Sequence, residues 1–366
     1  MFLIRSFADT ASRLRASPSA SASASASESS SAAGFDWKRY SGTEITFLAN
    51  QHPWTDGMNT VLDQFTAETG IKVNVQPFSE DLYFDKMEQT IRGTGTDVYF
   101  LPMDSTAFGQ YSADLIEPLT PYLNDPSKTS PDYDFADFPK GFLAGAEFPA
   151  GDANAQLYGI PISFETYILF YNKDLVSSVP ATFDDLIAAA QKISAEKGKD
   201  GISGAVMRGI RSDTIMDTLS GVVWNAYGDR EAPTPYGMWF DGSWETPRLT
   251  DAGVCQGLAN YGRLLATGPE NKYAIDWPDA NTLFSQGKAG FFIDASLFGP
   301  GYEDPANSQV AGKVGYAVLP PVTAGGASFT GHWLWGLGIP KTSEKKDAAW
   351  YFVQWMTNKA NTSQIG

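Results

Sequence analysis

GKAGFFIDAS (287–296), VAGKVGYAVLPP (310–321) and GHWLWGLGIPKTSEKKDAAWYFVQWM (331–356) decide the fold of this chain. Each holds an apolar run of strand length that ends in polar or aromatic residues, and Gly or Pro separates one from the next. The third adds a proline stop, Ser343 as N-cap and an amphipathic helix with Trp350 and Trp355 on its apolar side, hence in a core. Trp333 and Trp335 alternate with Leu334 and so share one strand face. Nearer the N-terminus, EITFLA (44–49) reads as a strand followed by the polar loop NQHPWTDG. Met58, Val61, Leu62 and Phe65 then form one helical stripe, closed by Gly70. IKVNVQPF (71–78) alternates as a strand, DLYFDKMEQTIR reads as a second helix, and DVYFLP (97–102) is a third strand. Strands separated by helices imply a largely parallel, helix-covered sheet. Ligands of such sheets sit beyond the strands' carboxyl ends. Those ends are Asn50–Trp54 and Pro102–Ser105, which makes His52, Trp54 and Asp104 candidate ligand residues.

In the middle of the chain, LYGIPISFETYILFYNKDL (157–175) is a Gly–Ile–Pro turn leading into a β-rich run with one acid, Glu165, among apolar neighbours. Thr182 caps FDDLIAAAQKISAEKG, an amphipathic helix. SGAVMRGIRSD (203–213) runs from a strand into a polar loop with Arg208, Arg211 and Asp213, SGVVWNAYGD (220–229) holds a helical Trp224, and Trp277 lies in a polar, Pro-flanked loop.

Taken in this order from Thr43 to the C-terminus, these segments resemble the extracellular carbohydrate-binding proteins that serve ABC importers, of the maltodextrin-binding type. The resemblance implies a two-lobed α/β fold of the periplasmic-binding-protein kind, each lobe a helix-covered, mostly parallel sheet, with a hinge of three crossing strands. It assigns 43–160 plus 294–330 to lobe one and 161–293 plus 331–366 to lobe two, truncated at its C-terminus, since family members continue with further helices. It also implies that Glu165 lies on the first crossing and reaches the cleft, that Trp224 faces the ligand, and that Asp294 and Ser296 end a second crossing strand. With Arg208, Trp277 and Trp333 these complete the candidate site. For each there is a plainer alternative: helix capping for Asp104, a hinge salt bridge for Glu165, an ion pair for Arg208, and core or surface packing for the tryptophans.

Composition narrows the classes. A net charge of −16 leaves no basic stripe for nucleic acid. One cysteine, Cys255, excludes an intramolecular disulfide, and two distant histidines argue against a His-rich metal centre. No apolar run approaches the roughly 20 residues of a membrane span. No GxSxG, HExxH, Walker A or dinucleotide fingerprint is present. The ten Trp, 16 Tyr and 23 Phe suit a site that covers the C–H faces of a sugar. Residues 1–34, rich in Ser and Ala, are expected to be disordered and carry no clear export signal. The expectation is a monomeric, periplasmic or extracytoplasmic binding protein, not an enzyme and without cofactor. It would deliver a sugar, oligosaccharide or sugar alcohol to a permease. The alternatives are a binder of an organic anion or iron and, more remotely, a glycoside hydrolase.

Overall fold

The computed structural model describes residues 34–212, 214–227, 239–240 and 246–365. The Ser/Ala-rich segment lies outside them, apart from Gly34. Ten strands are present among the described residues: β1 (Glu44–Asn50), β2 (Lys72–Phe78), β3 (Val98–Pro102), β4 (Glu147–Phe148), β5 (Gln156–Leu157), β6 (Ile160–Asn172), β7 (Ser203–Val206), β8 (Ala289–Ala295), β9 (Val314–Ala317) and β10 (His332–Gly338). β4 and β5 form a small separate hairpin, and the rest form one sheet ordered β2-β1-β3-β10-β6-β8-β7, with β9 also on β6.

Where helices link strands, the pairing is parallel, as β1 is with β2 and β3, and β7 with β8. Each such crossover needs a helix to return the chain to the same sheet edge. The helix Pro53–Thr69 fits its sequence: proline stands at N1, Met58, Val61 and Phe65 are buried, and Gly70 ends it at φ 73°. Only glycine takes that conformation without strain. In the second half, Thr182 and Asp185 form a reciprocal capping box at the start of the helix Phe183–Lys197. The last long helix is Lys346–Thr357, with Lys345 at the cap position. Ser343, expected there, instead accepts the Lys345 N–H at 3.1 Å and donates to Asp97 at 2.8 Å.

β6 is the hinge element. Its first half, to Thr166, pairs with β10, while Tyr167 to Asn172 pair with β8 and β9. The cores separate at that point. One cluster joins residues 35–160 to 334–365, with Trp335, Trp350 and Trp355 fully buried in it. Two others, on opposite faces of the second half of the sheet, draw on residues between Leu169 and Leu319. The segments 294–330 and 331–366 therefore exchange places relative to the sequence expectation. β8 and β9 stay in lobe two because Phe291, Phe292 and Ile293 bury there, and β10 with the last helices completes lobe one. The chain crosses between lobes twice, through β6 and through the segment before β10, rather than three times. At the second crossing the helix Ile215–Tyr227 packs so close that a Cβ on Gly221 would lie 2.7 Å from the Gly331 nitrogen.

Candidate ligand-binding site

Lobe one supplies the first wall from the carboxyl ends of β1 and β2 and from β10. His52 caps the helix Pro53–Thr69: its Nδ1 accepts the Trp54 N–H at 3.0 Å, and its Nε2 lies 3.0 Å from Glu165 Oε1. With Nδ1 accepting, the ring proton sits on Nε2 and is donated to the carboxylate. Glu80 opens the helix Glu80–Arg92 directly after β2, and the Trp277 side chain of lobe two stands near enough across the cleft to favour its ionised form. Trp333 and Trp335 present one face of β10, with ring centroids 5.4 Å apart in an edge contact. The Trp333 Nε1 is buried without a hydrogen-bond partner among the described residues.

Lobe two supplies the opposite wall. Arg208, just past β7, is buried and holds Asp294 with two bonds of 2.9 and 2.6 Å. Its Nη1 donates to Asp217 at 2.7 Å and to the Thr214 carbonyl at 2.9 Å. Four of the five guanidinium N–H groups are thus committed, and one on Nη2 remains. Trp277 starts the helix Trp277–Ser285, which Asp276 caps through the Trp277 N–H at 2.8 Å. Its ring stacks on Phe298 at 5.6 Å and 15°, and Phe298 stacks in turn on Phe292 at 6.3 Å and 14°.

Between the walls lies a cavity of about 350 Å³, lined by Gln51, His52, Glu80, Glu165, Arg208, Asp217, Trp277, Asn281, Phe298, Trp333 and Trp335 among others. Burial pushes the Glu80 carboxyl up to about 7; Arg208 and the Trp277 side chain oppose this, while Glu165 and Asp276 add to it. Burial likewise lifts Asp217 to about 7 against the pull of Arg208, with Asp294, Glu80 and Glu165 contributing. For Arg208, burial works against the charge, but the Asp294 and Asp217 partners more than offset it and hold the guanidinium cationic.

Five of the ten sequence candidates line this cavity: His52, Glu165, Arg208, Trp277 and Trp333. Asp294 stands behind Arg208 and orients it. Four are elsewhere. Trp54 turns inward, edge-on to Phe100 at 5.5 Å and Phe47 at 6.4 Å, because the first turn of its helix lies over the sheet. Asp104 pairs with His332 at 3.5 Å. His332 precedes Trp333 on the strand, so that pair lies on the sheet face away from the cavity. Trp224 packs half-buried beside Val223, Tyr227 and Val254. Ser296 begins a short 3-10 turn, Ser296–Phe298, whose later residues Leu297 and Phe298 reach the cavity in its place.

Glu80, Asp217, Asn281 and Phe298 line the cavity without having been expected there. Two signals were available in the sequence. Glu80 follows the end of β2 as His52 follows that of β1, and Asn281 lies one helical turn from Trp277. Nothing in the local sequence marked Asp217 or Phe298.

Residues 51–363 match the family described as bacterial extracellular solute-binding protein, and the chain belongs to that family. The erythritol/L-threitol-binding protein of Mycolicibacterium smegmatis is 28% identical over 343 residues, covering 90% of this chain and 70% of its own. The mannitol-binding protein of Pseudomonas aeruginosa is 31% identical over 212 residues, 56% of this chain and 46% of its own. Among solved structures, an Agrobacterium vitis ABC transporter solute-binding protein with bound D-mannitol superposes with a TM-score of 0.66 at 25% identity. That match covers 87% of this chain and 73% of the other.

Proposed function

We propose that this protein captures a small polyhydroxylated solute, a sugar or sugar alcohol, in the cavity between its lobes. It then presents that solute, outside the cytoplasm, to the membrane permease of an ABC importer. The observation that carries the reading is the make-up of the cavity. Aromatic side chains from both lobes (Trp277 and Phe298 from one, Trp333 from the other, with Trp335 buried behind it) line a volume that also holds Glu165, Arg208, Asp217 and Asn281. Such faces cover C–H surface at about 25 cal/mol per Å² of apolar area removed from water. Carboxylates and the guanidinium offer directed partners for hydroxyls, and charged partners roughly double the strength of a hydrogen bond. The volume lies at the small end of the range of about 300–1,000 Å³ for small-molecule sites. It favours a monosaccharide or alditol over a long oligosaccharide.

The polyol and mannitol binders among its relatives support the same ligand class. The acidic, aromatic lining disfavours the organic-anion alternative. A thermal-shift screen of monosaccharides, alditols and disaccharides tests the reading. A ligand at a hundredfold excess over its Kd stabilises the native state by about 2.7 kcal/mol. A screen in which no monosaccharide or alditol raises the melting temperature refutes it.

A further inference from the structure

The charges of the cavity do not balance. Glu165 has His52, and Arg208 serves Asp217 and Asp294 together. Glu80 has the Trp277 side chain near it but no ion pair among the described residues, although it shares the cavity with Glu165 and Asp217. Four carboxyl groups, three lining the cavity and Asp294 behind Arg208, thus share one guanidinium and one imidazole. A neutral polyol offers hydroxyl donors but no charge to offset this field. A metal ion is not the natural counter-charge, because among the described residues no three His, Cys, Asp or Glu side chains converge as a metal site. The aromatic lining does suit an organic cation, since the faces of the partly exposed Trp277 and Trp333 attract ammonium groups. The unpartnered Trp333 N–H in the same wall still calls for an oxygen acceptor. An acceptor and a cation together describe one kind of molecule.

We propose that the ligand is an aminated polyol, an amino sugar or amino alditol, with its ammonium group at Glu80 and its hydroxyls at Trp333, Glu165 and Arg208. This rests on the proposed function and narrows it. The ammonium takes the place of the proton that Glu80 otherwise retains close to neutrality, and because Glu80 is only partly buried the contact stays open to screening by salt.

Calorimetric titration of matched pairs near neutral pH and at low salt tests the assignment: D-sorbitol against 1-amino-1-deoxy-D-sorbitol, the corresponding D-mannitol pair, and D-glucose against D-glucosamine. In whichever pair binds, the amine is expected to bind at least about tenfold more tightly, as a charge-assisted contact implies. Added salt should erode that preference, and Glu80→Gln should bring the ratio toward one. The salt series needs no variant and so holds even if Glu80→Gln folds poorly. A neutral member that binds as well as its amine, or a preference indifferent to salt, overturns the proposal while leaving a polyol site intact. If no member of any pair binds, this proposal falls, and the thermal-shift screen decides separately whether the function it rests on falls with it.

Discussion

Arg208→Met is the most demanding perturbation of this architecture. The side chain it removes is, among the described residues, the sole cation bonded to Asp294, which is fully buried, and it also bonds Asp217, whose side chain is 12% exposed. Methionine refills much of the volume but leaves two carboxylates without a counter-charge. Removing one partner of a buried ion pair costs about 3–5 kcal/mol. Over a lobe of this size that corresponds to a fall in melting temperature of about 6–20 °C. The variant should also acquire a pH signature. Without Arg208, Asp217, already raised to about 7, binds its proton more readily still in the folded form than in the unfolded, so stability drops as pH rises through the folded value. The deficit should therefore be smallest near pH 5 and largest near pH 8. Urea unfolding of the unliganded protein across that range measures it, and adding Asp217→Asn with Asp294→Asn should restore most of the loss. A loss under about 1 kcal/mol, flat with pH, would show that the three groups are solvated and that the lobe-two wall is not built around them.

Glu165→Ala should weaken binding about ten- to hundredfold, since a carboxylate that accepts a ligand hydroxyl contributes about 1.5–3 kcal/mol. Asp104→Ala, which breaks only the His332 contact on the other sheet face, should leave affinity intact and cost under about 1 kcal/mol; isothermal titration of both variants separates them. Trp333→Phe keeps a ring but deletes the unpartnered N–H, so affinity should fall about five- to tenfold while unliganded stability holds. Glu80 and Asp217 are raised from 4.5 and 3.8 to about 7, so the folded form holds more protons than the unfolded form between those limits. Unliganded stability should thus fall by up to about 5 kcal/mol from pH 5 to pH 8, and Glu80→Gln should flatten part of the slope. A urea titration in which stability rises over that interval would contradict the assigned burial.

The sequence was most legible where one local rule settles a residue's place. Period and the closing Gly70 gave the body of the helix Pro53–Thr69, though its first turn, 53–57, read as loop, and alternation put Trp333 and Trp335 on one face. Two tryptophans amid an apolar helical stripe marked Trp350 and Trp355 as core. Long-range partners were another matter. β8 has the same apolar look as a crossing strand, and only its pairing with Tyr167–Tyr171 reveals that it stays in lobe two. Trp54 sits in a polar, Pro-flanked context much like that of Trp277, yet one turns under its helix and the other stands over the cavity. That difference lies in where each helix rests on its sheet, which the flanking residues do not encode. Glu80 was within reach: the rule applied to β1 and β3 applied equally to β2.

The interleaving of the two cores also bears on how the protein is made. Lobe two is a continuous stretch of chain, inserted between the two parts of lobe one, 35–160 and 334–365. On a ribosome, all of lobe two emerges before β10, Trp350 and Trp355 exist to complete the other core. Lobe one must wait with β3 lacking its β10 neighbour and with Phe47 and Phe65 lacking Phe352. Contacts so far apart in sequence form slowly, because the long loop between them must close first. The waiting half is therefore an unfinished sheet edge beside an already folded neighbour, and it is the part of the nascent chain most in need of a chaperone.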